Sequence, residues 1–99
     1  MTTRLEVIYW RDIPAQVIAK SGRDVSRVAL SDRFQVAIDR AATKAGKSGT
    51  DEYLAEWRKV REQTQASPSD AALGRADAME AEFTDEVLAD YVANLAWQP

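Results

Sequence analysis

Hydrophobic and polar positions alternate along two short runs near the start of the chain, and this alternation predicts a β-hairpin. The first run, Leu5–Trp10, carries apolar side chains on both faces, which is typical of a strand that is central in its sheet or covered on both sides. The second run, Ala15–Lys20, alternates in a similar way. Because Pro14 cannot donate to a strand ladder, we expect it in the turn or at the first residue of the second strand, and the simplest interpretation is a turn of about four residues, Arg11–Pro14.

The spacing of apolar residues becomes helical in the middle of the chain. A predicted turn over residues 21–24 leads into Ser26–Leu30, which fits either a third strand or an extended connector. Ser31 then fits an N-cap, and Gly46 fits the residue that ends a helix. Between them lies one apolar stripe at helical spacing, formed by Phe34, Ala37, Ile38, Ala41, Ala42 and Ala45.

Residues 50–65 fit two kinds of structure. Tyr53 and Trp57 belong to a helical stripe with Val60, but the same two aromatic residues also fit the alternation of a strand. A two-stranded hairpin is only marginally stable by itself, so the fold needs another strand. We therefore expect a short helical turn near Thr50–Leu54 and a strand over about Glu56–Thr64.

The last third of the chain contains two helix starts. Ser67 fits an N-cap, and Pro68 follows it at the first helical position, where its missing N–H group costs nothing. Thr84 caps a second helix, which either continues the first with a kink or turns back on it. All these elements predict one α+β domain over residues 1–99, with a small antiparallel sheet of about three strands, the hairpin first, covered by about three helices.

The absence of two residue types narrows the chemistry. The chain contains no cysteine, which excludes disulfides, thiol nucleophiles and thiolate metal sites. It contains no histidine either, which excludes the commonest general base and imidazole-ligated metals. We therefore expect no metal and no cofactor, and the sequence favours a protein that is not an enzyme.

Charge is distributed unevenly along the chain. Residues 1–49 have a net charge of +4 and residues 50–99 a net charge of −7, which together give the overall charge of −3. There is no run of about 18 apolar residues that would span a membrane. The first four residues lead straight into a predicted strand and lack the apolar region of a signal peptide, so we expect a cytoplasmic protein.

Polar and aromatic residues around one end of the predicted hairpin form the candidate binding surface, which consists of Trp10, Arg11, Asp12, Gln16, Lys20 and Arg23. An aromatic plate, a guanidinium group and an amide would suit a pocket for an anionic group. Alternatively, Trp10 lies in the core while Arg11 and Asp12 pair locally. The exposure of Trp10 distinguishes these alternatives. The pair Trp57-Arg58 repeats the Trp-Arg pattern and would lie beside the hairpin if the strands are neighbours.

The block Tyr9–Val17, which reads YWRDIPAQV, resembles a small bacterial family called the virulence factor domain family. That domain also occurs at the end of the larger protein known as conserved virulence factor C. The similarity continues through Leu30–Ala42 and Gly49–Arg58, and so covers roughly the first sixty residues. The resemblance implies no reaction, no ligand and no catalytic residues. It implies an association of stand-alone members with genes for folate- and corrinoid-linked one-carbon transfer.

We therefore expect a non-enzymatic accessory module that binds another protein, with a link to folate- and corrinoid-linked one-carbon metabolism implied by the resemblance. The alternative is a small-molecule binding protein or enzyme that uses the Trp10/Arg11 corner for an anionic ligand. Nucleic acid is disfavoured as a partner because the chain is acidic overall and contains no nucleic-acid-binding motif.

Overall fold

The computed structural model describes residues 2–99, which form four strands and four helices. In chain order these elements are β1 Thr3–Trp10, β2 Ile13–Ser21, β3 Asp24–Ala29, α1 Asp32–Lys44, α2 Thr50–Ala55, β4 Trp57–Thr64, α3 Pro68–Glu82 and α4 Asp85–Ala93. The strands form one antiparallel sheet in the order β3-β2-β1-β4. The predicted α+β fold is confirmed, with four strands rather than about three, because the stretch that also fitted a connector pairs as β3.

The hairpin is confirmed, but its turn is shorter than expected. β1 and β2 pair antiparallel with Val7 opposite Val17, and only Arg11 and Asp12 lie outside the two strands. Pro14 belongs to β2 and not to the turn. The register shifts between Ile8 and Tyr9, which leaves an unpaired residue in β2, and proline is tolerated at such a bulge. Arg11 closes the tight turn with a left-handed φ of 52°.

The ambiguous middle stretch forms both of the expected elements, the short helix α2 and the strand β4. β4 pairs along the whole of β1 and places Trp57 directly opposite Trp10. β1 is therefore bordered by a strand on each side, as its two apolar faces indicated.

The core lies between one face of the sheet and two long helices. On that face Leu5 and Val7 of β1 are buried beside their neighbours on β2, and α3 lies across β1, β2 and β3. A hydrogen bond from the Thr3 hydroxyl to the Ala66 carbonyl (2.6 Å) holds the start of α3 against this face. α1 packs on β2 and α4, and its predicted stripe residues Phe34, Ile38 and Ala41 are buried, as expected.

The helix ends follow the sequence signals with one exception. The hydroxyls of Ser67 and Thr84 accept hydrogen bonds from the backbone N–H groups of Asp70 and Val87, as N-cap side chains do. Ser31 precedes α1, but its hydroxyl donates to the carboxylate of Glu80 instead (2.8 Å). α3 ends at Glu82, and α4 starts anew at Asp85, so the two are separate helices. Within residues 2–99 no helix combines the length and apolar character that a membrane crossing requires.

Candidate functional site

The structure distributes the six predicted surface residues over three places. Trp10, Arg11 and Asp12 lie at the tip of the hairpin, a region that we call the hairpin corner. Gln16 and Lys20 lie further along β2, and Arg23 lies in the turn before β3. β2 is nine residues long, so its far end is roughly 27 Å from the hairpin corner at 3.3 Å per residue. The predicted single surface around one end of the hairpin is therefore wrong as geometry, because an extended strand separates its members.

Trp10 is a core residue. Its side chain is fully buried, and its ring is stacked on that of Tyr53 with a centroid distance of 5.8 Å. The indole N–H group donates to the Tyr53 carbonyl at 2.8 Å, which satisfies its only polar atom. Trp57 packs edge-on against Tyr53, with a centroid distance of 5.7 Å. Of the two alternatives for Trp10, the structure shows the buried one. Inside the molecule Trp10 cannot act as an aromatic plate for a ligand.

Arg11 is nearly as buried, with 7% of its side chain exposed. Its guanidinium group lies 5.1 Å from the ring centroid of Trp10 and 4.9 Å from that of Trp97. Its Nη1 donates to the Leu95 carbonyl at 2.9 Å, and its Nε lies 3.4 Å from a carboxylate oxygen of Glu56. A cation that is stacked between two indoles and bonded to backbone holds the structure together and does not face an incoming ligand.

Asp12 ties the hairpin corner to two other parts of the chain. One carboxylate oxygen accepts from the Arg58 guanidinium at 2.8 Å, and the other accepts from the Gln98 backbone N–H group at 2.8 Å. The Asp12 N–H group donates to the Ala96 carbonyl at 2.8 Å. These bonds, with those of Arg11, fasten β4 and the C-terminal residues to the turn.

Backbone strain is concentrated at the same contact. Besides Arg11, the non-glycine residues Leu95 and Ala96 have left-handed φ values of 61° and 69°. Such conformations cost of order 1–3 kcal/mol each and persist where the surrounding contacts hold them in place. In this chain the contacts are the hydrogen bonds of the hairpin corner.

A small polar cavity of about 260 Å³ lies beside the hairpin corner, lined in part by Tyr9, Arg58, Arg75 and Tyr91. Burial raises the pKa of both tyrosines, so they stay protonated at neutral pH. Arg75 forms two hydrogen bonds with Glu62, at 2.9 and 3.1 Å, and this pairing raises its pKa further. Arg58 is bonded to Asp12 and to the Arg11 carbonyl. Both guanidinium groups of the cavity are therefore already paired within the protein.

The opposite face of the sheet carries a group of exposed cations, and we call this surface the open face. On β1, Arg4 and Glu6 point to this side, and residues paired directly across strands share their face. Arg61 lies opposite Glu6, Lys20 opposite Arg4 and Lys59 opposite Ile8, while Ile18 of β2 links Glu6 to Arg27 of β3. The open face thus carries Arg4, Lys20, Arg27, Lys59 and Arg61 around a single carboxylate.

Glu6 lies at the centre of this group and is only 2% exposed. Its carboxylate is 3.0 Å from the Lys20 ammonium, 3.7 Å from the Arg61 guanidinium and 3.8 Å from the Lys59 ammonium. The hydrogen bond from Lys20 lowers the pKa of Glu6, burial opposes this effect, and the charges of Lys20, Lys59 and Arg61 lower the pKa further. Glu6 is therefore ionised at neutral pH and attracts the surrounding cations toward itself.

The cations around Glu6 remain accessible to solvent. Lys59 is 56% and Arg61 is 68% exposed, and the side chains of Arg4 and Arg27 are exposed as well. Five cations and one carboxylate give this face a charge of +4 in a chain whose overall charge is −3. Of the predicted site residues, Lys20 lies among these cations and Gln16 lies on the same side of the sheet.

Sequence reasoning missed Arg4, Arg27, Lys59 and Arg61. Alternation along each strand shows which residues share a side, but the grouping depends on the strand order and the cross-strand register. Across the described residues no three acidic side chains lie together in an arrangement that could hold a metal ion.

A family model described as virulence factor matches residues 8–92. The match includes the hairpin corner, most of the sheet and the acidic helices α3 and α4, and so extends well beyond the resemblance visible in the first sixty residues. No curated protein and no solved structure matches the chain.

Proposed function

The chain belongs to the virulence factor family, and from that premise we propose that it is a non-enzymatic accessory module whose open face binds an acidic segment of another protein. The observation that carries this proposal is the group of exposed cations around the buried Glu6. An acidic segment laid across the strands would meet Lys59 and Arg61 on one side of Glu6 and Lys20 on the other.

Electrostatics supports an acidic partner. The net charge of +4 is gathered within a few strands, so it acts on a partner at distances of the Debye length, about 8 Å at physiological salt. Charge complementarity of this kind raises association rates and discriminates against partners of the wrong sign. The negative charges of the chain, which outnumber the positive ones, lie mostly after residue 50 and leave this face basic.

The non-polar side chains of the open face support a protein partner rather than a nucleic acid. Single-stranded nucleic acids are held largely by stacking on exposed aromatic rings. In the described part of this face the aromatic residues are Trp10, which is buried, and Trp57, which is half-buried and packs edge-on against Tyr53. Ile8 and the exposed Val25 supply aliphatic contacts that suit protein side chains.

The chemistry of Glu6 supports binding rather than catalysis. A general acid at neutral pH needs a carboxyl pKa that is raised toward 7. The hydrogen bond from Lys20 and the neighbouring charges lower the pKa of Glu6 instead. The carboxylate therefore serves to hold the cations in position.

We further propose that the module acts in the bacterial cytoplasm and that its partner is a protein of folate- or corrinoid-linked one-carbon transfer. Support for the partner class comes from the genetic association that the family resemblance implies.

Charge reversal on the open face tests the binding proposal. The wild-type chain and the double variant Lys59→Glu/Arg61→Glu are immobilised, and proteins retained from an extract of the source cell are compared by mass spectrometry. We expect at least one acidic protein to be retained by the wild type, to be released by salt and to be lost from the variant. Both substitutions lie at exposed positions, so the fold should persist, as circular dichroism can verify.

The matched control is Lys44→Glu/Lys47→Glu, which makes the same change in net charge at the end of α1. It should retain the same proteins as the wild type. Equal retention by all three chains would contradict the proposal. Loss of the retained material after nuclease treatment would show that the open face binds nucleic acid instead.

A further inference from the structure

A groove of about 400 Å³ lies between α1 and α4, away from the open face. Small aliphatic side chains form its walls: Val36 and Ala37 from α1, and Leu88, Ala89 and Val92 from α4. Val36 is 46% exposed although it is a large apolar residue. Sites for small ligands have volumes of about 300–1,000 Å³ and are lined mainly by apolar side chains with a few polar groups, so this groove has the size and character of such a site.

One end of the groove is closed by Arg33. Its guanidinium group donates to the backbone carbonyl groups of Phe83 and Glu80. It also donates to the carboxylate of Glu80 at 2.9 Å and to the carboxylate of Asp85 at 3.3 Å. The negative charge of Asp85 is thereby paired, and Arg33 has few donors left. This end acts as a polar wall that joins α1 to α4.

The other charged residue of the groove is Arg40, which is exposed. Within residues 2–99 its side chain forms no ion pair and no hydrogen bond with the protein. Arg40 follows Arg33 by seven residues, which places the two roughly 10 Å apart along the helix axis. The apolar walls lie between a paired arginine at one end and an unpaired arginine near the other.

We propose that this groove binds a small amphipathic carboxylate. Its apolar body lies against Val36, Leu88 and Val92, and its carboxylate accepts hydrogen bonds from the Arg40 guanidinium group. An arginine is suited to this contact because its planar fork matches a carboxylate in bidentate geometry.

The size of the groove selects a small molecule over a protein helix. Eight residues line it, whereas a stable protein interface uses about 20–30 residues on each side. This site shares no residue with the open face, so it is a second binding function that stands or falls independently of the first.

Titration with decanoate, followed by calorimetry and by amide chemical shifts, tests the proposal. We expect saturable binding with shifts concentrated in α1 and α4, about tenfold weaker binding of decanol, and no binding of acetate. Arg40→Gln should weaken decanoate about tenfold and leave decanol unchanged, because only the carboxylate uses the guanidinium group. Lys47→Gln is the charge-matched control outside the groove, and it should bind decanoate as the wild type does.

A second variant fills the groove. Ala89 is exposed on α4, so Ala89→Trp should leave the fold intact, which the thermal midpoint verifies, while abolishing the binding of both decanoate and decanol. If Ala89→Trp fails to fold, Val36→Ser replaces part of the apolar wall with a polar group instead and should weaken both ligands. Absence of saturable binding to the wild type, or equal binding by wild type, Arg40→Gln and the filled groove, would overturn the proposal.

Discussion

The hairpin corner and the open face both place an arginine beside a carboxylate, Arg11 beside Glu56 and Arg61 beside Glu6. In the hairpin corner Arg11 is covered by Trp97 and bonded to the Leu95 carbonyl, so its charge is used inside the protein. On the open face Arg61 lies 3.7 Å from Glu6 but remains 68% exposed. The residue types are the same in both regions. The difference lies in what covers each arginine: the C-terminal residues pack on the hairpin corner, whereas Arg61 remains largely in solvent.

An unusual concentration of tryptophan, arginine and aspartate therefore does not by itself mark a ligand site. In the hairpin corner these residues join three segments that are distant in the chain, namely the turn, the start of β4 and residues 95–98. Side chains that fix long-range contacts are as specific in type and position as side chains that bind a ligand. The open face looks ordinary in sequence, yet it keeps its cations available.

The largest expected effect is a loss of stability in the hairpin corner. Trp10→Ala removes a fully buried indole together with its stacking on Tyr53, so the free energy of unfolding should fall by about 3–5 kcal/mol. Urea unfolding followed by circular dichroism measures it. Trp97→Ala is the matched control at an exposed position and should cost about 1 kcal/mol or less, chiefly through the lost contact with Arg11. Similar losses for both variants would show that the C-terminal residues carry as much of the core as Trp10.

The next effect concerns Arg11. A surface arginine could be replaced almost without cost, but the buried Arg11 leaves the Leu95 carbonyl unpaired when it is truncated. Arg11→Ala should therefore lower the free energy of unfolding by about 1–3 kcal/mol.

Arg11→Gly sharpens this measurement. The same contacts are lost, but glycine adopts the left-handed φ of 52° without steric cost, so this variant should be more stable than Arg11→Ala by about 1 kcal/mol. The order of the two variants in urea unfolding checks the strain. If Arg11→Ala is instead more stable than Arg11→Gly, the turn relaxes when the guanidinium group is removed.

The smallest effect is on the open face and depends on pH. The pKa of Glu6 is lowered in the folded state, so its stabilising contribution is present above the unfolded pKa of 4.5 and is lost as the pH falls through the folded value. Glu6→Gln should cost about 1 kcal/mol at neutral pH, and the difference from wild type should vanish at acid pH. Urea unfolding across this range measures it, with Lys44→Ala, at an exposed position away from Glu6, as a control that changes stability by less than about 0.5 kcal/mol. A difference that grows toward acid pH would show that Glu6 is destabilising when ionised.

Local features of the fold were predictable because they depend on residues that are close in sequence. The caps at Ser67 and Thr84, the α1 stripe and the pairing of the hairpin strands all follow from spacing and side-chain chemistry within a few residues. The two-residue turn was missed because it requires Arg11 in a conformation that non-glycine residues seldom adopt. The separation of Arg23 from the hairpin corner could have been predicted, since it follows from the rise per residue of a strand.

By itself the sequence determined the order of the elements, the side of each strand on which a residue lies and the absence of thiol and imidazole chemistry. Only the tertiary structure decided which part of each side of the sheet is covered. Both faces of β1 are apolar enough to be buried, and the covering elements α3, α2 and the C-terminal residues come from far along the chain. Trp10 lies on the same side of the sheet as Lys59 and Arg61, yet it is buried with Arg11 while the two cations remain in solvent. Burial depends on packing between distant segments, which local patterns do not encode.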